Sequence, residues 1–406
     1  MATILGMRGT GDAGTDERPK SYRETIFYLE KNGTAPLTAL MTKMRHEMLT
    51  DSEHHWWTKA EPTVRTTHTL PTTPSNASGT PASATLTVVS TAGFRPGDVI
   101  RCSNTGETAW VRTIGDPTHM TVIRGLGKSG GTALTGGNEW IVAGAASSEG
   151  EAVRSAKYTD PVKQYNFLQI FRHPAEVTGT MDATKFRTGS AYKNALREAF
   201  RQHNMEREHA FFWGNAYEGT DTGLGFTTSK PTRFTGGVFG NSPSGTPYVP
   251  TANRFTPDAG KLTEALLDSY LEIIMAEGSR ERIAYCGPSA MRVLSAIAKS
   301  SATINMTPVK NGVYGMHLTE WITPFGSLYL KLHPLFAEST VLTGVMAIVE
   351  PRNLSYLYMK DRDTKLLKDR QNPGVDGRVD EYLSECGLEI KHGSTHGLIS
   401  GITGFA

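Results

Sequence analysis

TKFRTGSAYKNALREAFRQHNMEREHAFFWG, residues Thr184 to Gly214, carries a helical period over most of its length. Tyr192, Ala195, Leu196, Ala199 and Phe200 recur at the i, i+3, i+4, i+7, i+8 spacing of one apolar face, and Lys193, Arg197, Glu198 and Arg201 flank it. Asp182 is placed to cap the start and Gly214 to cap the end. A helix from Thr184 to Trp213 would run about 45 Å. That is long for one element of a small domain. It predicts a structural spine around which the other parts are arranged.

Downstream, residues 215–257 are rich in Gly, Thr, Pro and Asn and read as a long ordered loop. PDAGKLTEALLDSYLEIIMAEG predicts a helix ending at Gly278, RIAYCG a buried strand, and PSAMRVLSAIAKS a second helix with Pro288 at its first position. The strands GVYGMHLTEWI and GSLYLKLHPLF complete an α/β module. In the second, Leu328, Leu330 and Leu332 alternate with Tyr329, Lys331 and His333, the period of a half-buried strand. VLTGVMAIVEP, NLSYLYMK, VDEYLSECGLEIKHG and HGLISGITG predict further strands.

Upstream, residues 1 to about 20 have the composition of a disordered arm. TALMTKMRHEML predicts a helix with Leu40, Met44 and Met48 on one face. DSEHHWWTKAEPTVRTTHT reads as an extended arm, and the Pro/Ser/Thr-rich residues 70–83 read as a linker. Between residue 84 and about 145 come five short β-branched or aromatic pieces, each bounded by turn residues, which suggest a small barrel or sandwich. KYTDPVKQYNFLQIFRHPAEVTGT then predicts a long strand kinked at Pro174. One extended arm leads into the β-unit and another leads out, so the unit is read as inserted at the tip of a two-stranded hairpin.

The bulk numbers exclude several classes. With 42 basic and 40 acidic residues the chain is nearly neutral, which argues against a protein whose main task is coating nucleic acid. Cys102, Cys286 and Cys386 are an odd number, far apart, and show no disulfide framework or zinc spacing. The N-terminus is not a secretion signal, and no segment has the roughly 18 consecutive apolar residues of a membrane span. The triplets at Asn32 and Asn76 therefore carry little weight as glycosylation sites.

Motif by motif, no catalytic centre emerges. TVIRGLGKSGGT, Thr121–Thr132, ends like a phosphate loop, but the first required glycine is Val122 and no helix follows. A Gly-rich turn between two strands is the better reading. No G-x-S-x-G is present. His46-Glu47 is not completed to H-E-x-x-H because position 50 is Thr50, and His54 and His55 are adjacent and point apart. Glu206 and His209 match Glu-x-x-His, half of a di-iron site, with no second copy. The run MKDRDTKLLKDRQ, residues 359–371, alternates in sign and reads as a solvated or intersubunit face.

The arms pose a different problem. A hairpin cannot bury its own apolar side chains, so Trp56, Trp57, Tyr165, Phe167 and Phe171 are expected to be exposed in a single chain. Trp and Tyr are common interface anchors. These five, with Arg172, form the candidate intersubunit contact. The expectation is assembly rather than catalysis, with no catalytic, cofactor or metal residues.

In order of parts the chain resembles the major capsid proteins of tailed bacteriophages, in the branch whose hairpin carries a β-domain. Encapsulins and the herpesvirus capsid floor share that fold. The matching stretches are TDSEHHWW, GFRPGD, TVIRGLGKSGGT, EGEAVRS, EHAFFWGN and, most specific, VEPRNLSYLYMKDRDTKLLKDRQNPGVDGRVDEYLSECGLEIKHG.

The resemblance implies an α+β chain with an inserted small all-β domain. Residues 1–50 would be the N-terminal arm, 51–78 and 149–180 the extended hairpin, and 79–148 the inserted domain. Residues 181–257 would be the peripheral domain, 258–340 the axial domain, and 341–406 returning strands. It implies a structural subunit, not an enzyme, that assembles in the host bacterial cytoplasm. Pentamers and hexamers of it would form the icosahedral shell of a virion. Partners would be other copies, portal and scaffolding proteins, a decoration or cement protein, and double-stranded DNA held non-specifically on the inner face. The spine-related sequence begins within about 20–50 residues of Met1, so scaffolding is expected as a separate protein. The alternatives are an encapsulin-like compartment shell or another phage structural protein.

Overall fold

The computed structural model describes residues 35–44, 46–59, 65–69, 81–127, 134–150, 154, 156–300, 306–308 and 319–405. The disordered arm expected over residues 1–20, most of the 70–83 linker, Lys128 and Ser129 of the glycine turn, and the first half of the GVYGMHLTEWI strand lie outside them. Two units form. One spans Trp57–Lys163, and the other is built from the chain on either side of it.

In the second unit the spine is a 23-residue helix, Ala191–Trp213. It starts later than its sequence suggests. Gly189, at φ +91°, breaks the chain ahead of it, and Ser190 rather than Asp182 is the cap, its side chain accepting from the Lys193 amide. Asp182 sits in a separate short helix, Gly179–Ala183, capped by Thr178. Gly214 ends the spine as expected, its amide donating to the Ala210 carbonyl.

The helix lies on a five-stranded sheet whose central member is the 14-residue strand Gly377–Ile390. Along one edge this strand pairs antiparallel with Gln169–Thr178, from Gln169 opposite Cys386 to Thr178 opposite Gly377. Along the other it pairs with Leu354–Met359 and Lys365–Leu367. Leu354–Met359 in turn pairs in parallel with His46–Leu49. The predicted helix through Met48 is therefore too long. It stops within Pro36–Met44, and Met48 lies on an edge strand, half exposed. Pro174 causes no break either. It sits inside Gln169–Thr178, an edge strand, where a missing N–H is tolerated. The interruption falls at Leu168.

The α/β module is a seven-stranded sheet. Its order is Arg254–Phe255, Gly397–Ile399, Met346–Val349, Glu281–Cys286, Gly326–Leu332, Thr319–Thr323 and Met306–Pro308. Helices Glu264–Ile274 and Pro288–Ser300 bury Leu267, Leu271, Ile274, Val293, Leu294 and Ile297 in its core. The alternation expected for Leu328, Leu330 and Leu332 fails at the strand's end. Leu332 is half exposed and His333 is buried, because a carboxylate of the spine helix takes its ring. The 215–257 loop is ordered by close backbone approach to the spine's C-terminus. A Cβ on Gly240 would lie 1.7 Å from the Gly214 carbonyl oxygen, so only glycine fits.

The Trp57–Lys163 unit is a six-stranded sheet, ordered Arg65–Thr67, Glu139–Ala145, Asp98–Cys102, Thr108–Asp116, His119–Arg124 and Ala82–Thr87. It closes on itself. The Thr69 amide donates to the Thr87 carbonyl and the Val89 amide to the Thr67 carbonyl, both at 3.0 Å, and His68 bridges Val88. Closure leaves no free strand edge along this seam. Leu86, Ile100, Val111, Met120, Val122 and Trp140 fill the interior. The barrel thus takes a strand from before residue 79, where the sequence boundary was drawn. Three alternating residues, Arg65, Thr66 and Thr67, are too few for the period to show. Arg124 and Glu107 form a bidentate pair inside, Nε to Oε1 at 2.9 Å and Nη2 to Oε2 at 2.6 Å, both fully buried.

Candidate assembly interface

The hairpin strands are Glu53–Thr58 and Val162–Phe167, paired with each other. Successive residues on a strand face opposite sides, so the adjacent tryptophans separate. Trp57 is 65% exposed. Trp56 is buried and stacks on Tyr248 with ring centroids 6.4 Å apart, and the His54 ring stacks on it at 5.9 Å. The Tyr248 hydroxyl donates to the Tyr165 carbonyl at 2.8 Å. Burial raises the Tyr248 phenol well above its ordinary pKa, which keeps it a donor. Asn166 completes the anchor. Its Nδ2 donates to the carbonyls of Gly236 and Leu388 at 3.0 and 2.8 Å, and its Oδ1 accepts from the Gly236 amide at 2.8 Å.

The expectation that all five aromatics are exposed in a single chain is corrected here. Trp56, Phe167 and Phe171 are internal, and Tyr165 is half-buried against Phe167 and the His55 ring. The 235–250 segment, whose cover was not readable from its loop composition, supplies the Tyr248 surface. Arg172 is exposed and pairs with Glu381, holding that carboxyl below its usual range. Within the barrel unit Tyr158 and Val162 are exposed, with Lys59 Nζ 4.6 Å from the Tyr158 ring centre. Of the predicted contact residues, Trp57 and Arg172 are the exposed ones, Arg172 while paired with Glu381.

Sequence reading missed the polar face of the spine. Its buried residues are Ala199, His203, Arg207, Glu208, Phe211 and Phe212, whereas Phe200, assigned to the apolar face, is exposed. Glu208 is fully buried. One carboxylate oxygen accepts from the Leu37 amide at 2.7 Å and from His333 Nε2 at 3.0 Å. The other accepts from the Thr38 amide at 2.8 Å and its hydroxyl at 2.6 Å. Glu208 therefore caps the helix Pro36–Met44, where orphan amides and the helix dipole favour an anion. It joins three segments distant in sequence. The residues that the sequence flagged beside it go elsewhere, Glu206 to His173 at 2.7 Å and His209 to Glu338 at 3.5 Å. The available signal was a glutamate in phase with Phe211 and Phe212.

Two buried histidines give the unit an acid sensitivity. His203 Nε2 lies 2.7 Å from the Ser384 hydroxyl, and His396 Nδ1 accepts from the Glu350 amide at 3.1 Å. Burial, reinforced by Arg207 and His173 for the first and by Arg282 for the second, lowers each pKa from 6.5 to about 3. In the unfolded chain they take up a proton near 6.5. Unfolding therefore binds protons below that pH, and stability falls as pH drops from 6.5 towards 3. Between pH 7 and 5 the expected loss is about 2 kcal/mol per histidine. Urea midpoints at pH 7, 6 and 5 measure it. His203→Gln flattens the slope, and an unchanged slope removes His203 from the account.

The H-E-x-x-H reading fails for a structural reason as well, since His46 and Glu47 are on a strand. His55 faces Glu53 at 3.0 Å. His54 turns the other way, and one donor atom each from Glu47, His54 and Glu389 lie within 4.8 Å of one another.

Comparison with known proteins bears on the whole chain. The family model described as SU10 major capsid protein matches residues 6–403. A major capsid protein of Pseudomonas phage PaMx41 is 25% identical over 417 residues, covering 99% of this chain and 97% of that one. Among solved structures, the cyanophage A-1(L) capsid asymmetric unit aligns with a TM-score of 0.43 and 9% identity, over 97% of this chain and 98% of that one. The holo-SrpI encapsulin complex of Synechococcus elongatus aligns with a TM-score of 0.42 and 11% identity, over 61% and 80%.

Proposed function

The chain belongs to the SU10 major capsid protein family, and from that premise we propose that it closes into pentamers and hexamers of an icosahedral shell around double-stranded DNA. As a phage major capsid protein it is a structural component of the virion, present in many copies. The observation that carries the reading is the family match over residues 6–403, which spans the barrel unit and the chain on both sides of it. Repetition of one chain by closed symmetry makes modest contacts sum to a stable shell. In this reading the unit holding the spine supplies peripheral and axial domains, and the hairpin lies across the adjacent subunit. The chain assembles in the host cytoplasm with portal and scaffolding proteins, accepts a cement protein, and carries out no catalysis.

Trp57 is the anchor that this reading selects, being a large aromatic left outside on a strand whose other tryptophan is internal. Trp57→Ala is expected to leave the melting of the isolated subunit unchanged and to weaken assembly. Alanine at an interface anchor typically removes about 2 kcal/mol or more per contact, multiplied over the shell. Electron microscopy and light scattering of purified particles read the outcome. Shells that form and resist heat like the parent eliminate Trp57 as an anchor. Shells that contain protein cargo in place of DNA favour the compartment alternative.

A further inference from the structure

The root of the hairpin holds three donor groups that no part of the shell reading uses. Glu47 comes from the edge strand His46–Leu49, His54 from the outgoing hairpin strand, and Glu389 from the far end of Gly377–Ile390. Glu389 is buried, His54 largely so, and Glu47 exposed. His54 Nε2 stands 3.6 Å from Glu389 Oε1. That is too long for a hydrogen bond. It is close to the separation of about 3.4 Å between two ligands held at about 2.1 Å around a tetrahedral ion. The second oxygen of Glu389 is already engaged, 2.9 Å from Lys391 Nζ. A ligating carboxylate whose other oxygen is held by a neighbour is a normal arrangement around protein-bound metals. The Lys391 ammonium lies against Oε2, the oxygen of Glu389 other than the one nearest His54.

We propose that Glu47, His54 and Glu389 bind a first-row divalent transition ion of the zinc type, with water in the remaining position. One imidazole and two carboxylates suit such an ion, and the imidazole disfavours magnesium and calcium. The ion ties the outgoing strand of the hairpin to the edge strand and to the long central strand at the point where the chain leaves the body of the unit. The open position and the exposed Glu47 give the ion a path from solvent. This inference concerns the single chain and does not depend on the shell reading.

The test is calorimetric titration of the full-length chain, freed of metal by chelator dialysis, with zinc chloride, and with magnesium chloride as the contrast. One zinc per chain is expected, with magnesium at least tenfold weaker. Glu47→Gln, at an exposed position, and His54→Gln are each expected to weaken zinc by about tenfold or more. Glu389→Gln disturbs a buried ion pair, so it is not the deciding variant. Cobalt provides a second reading, because ligation at this site gives visible absorption bands that His54→Gln removes. The proposal is overturned by absence of saturable zinc uptake, by uptake that survives both the Glu47 and His54 variants unchanged, or by cobalt bands that persist without His54.

Discussion

Glu208→Ala is expected to lower the stability of the spine-bearing unit by about 3–5 kcal/mol, because several buried donors lose a charged acceptor at once and such bonds are worth about 1.5–3 kcal/mol each. Three effects coincide at this residue. The amides of Leu37 and Thr38 lose the carboxylate that caps their helix, the Thr38 hydroxyl loses its acceptor, and His333 Nε2 is left buried. Glu208→Gln keeps the shape and one acceptor oxygen, and is expected to lose about half as much, since hydrogen bonds to charged groups are roughly twice as strong as neutral ones. Chemical denaturation of the soluble subunit measures both. An alanine variant within about 0.5 kcal/mol of the parent, the span of an ordinary surface change, would show that Glu208 is not the joint the geometry makes it.

The barrel has its own equivalent. Glu107→Ala leaves the Arg124 guanidinium enclosed without its carboxylate, and is expected to cost about 3–5 kcal/mol in barrel stability. The reverse design separates this from a packing defect. Replacing both residues, Glu107→Leu with Arg124→Met, removes both charges and keeps apolar volume, and such swaps are often neutral or stabilising. Limited proteolysis within Trp57–Lys163 reports on the barrel while the rest of the chain acts as an internal reference. If the double variant is cut as fast as the single one, lost volume and not the stranded charge explains the damage.

How much of this was legible in the sequence depends on which force set each feature. The spine, the α/β module and the inserted β-unit could all be read, because apolar periodicity is strong there and turn residues bound each piece. The family could be read from the stretch running from Val349 to Gly393. The site was harder. Nothing local distinguishes Trp56 from Trp57, since what covers the first is Tyr248, almost two hundred residues on. The spine's inner face was misassigned for a related reason. A stripe of His203, Arg207 and Glu208 reads as solvated, and it is buried because Leu37, Thr38, Thr364, Ser384 and His333 satisfy it from elsewhere. Hydrophobic period detects burial that is apolar, and does not detect burial completed by hydrogen bonds from distant segments. The same limit hid Glu389 behind His54.

The pairing of Gly377–Ile390 with Gln169–Thr178 also bears on the timetable of the chain's life at the ribosome. Residues 57–163 make their sheet among themselves, so that unit is complete early in translation. The other unit waits. Its central strand is among the last to emerge, and until then Gln169–Thr178 lacks its sheet partner and Leu354–Met359 has only His46–Leu49 beside it. At bacterial elongation rates of about 5–20 residues per second, the stretch from Lys163 to Ile390 takes roughly 10–45 seconds, and over that time a nascent chain has a finished barrel and an unfinished body. A polypeptide interrupted before residue 377 never obtains the central strand. Prematurely terminated chains are thereby expected to lack the sheet on which the spine lies, and with it a native-like body.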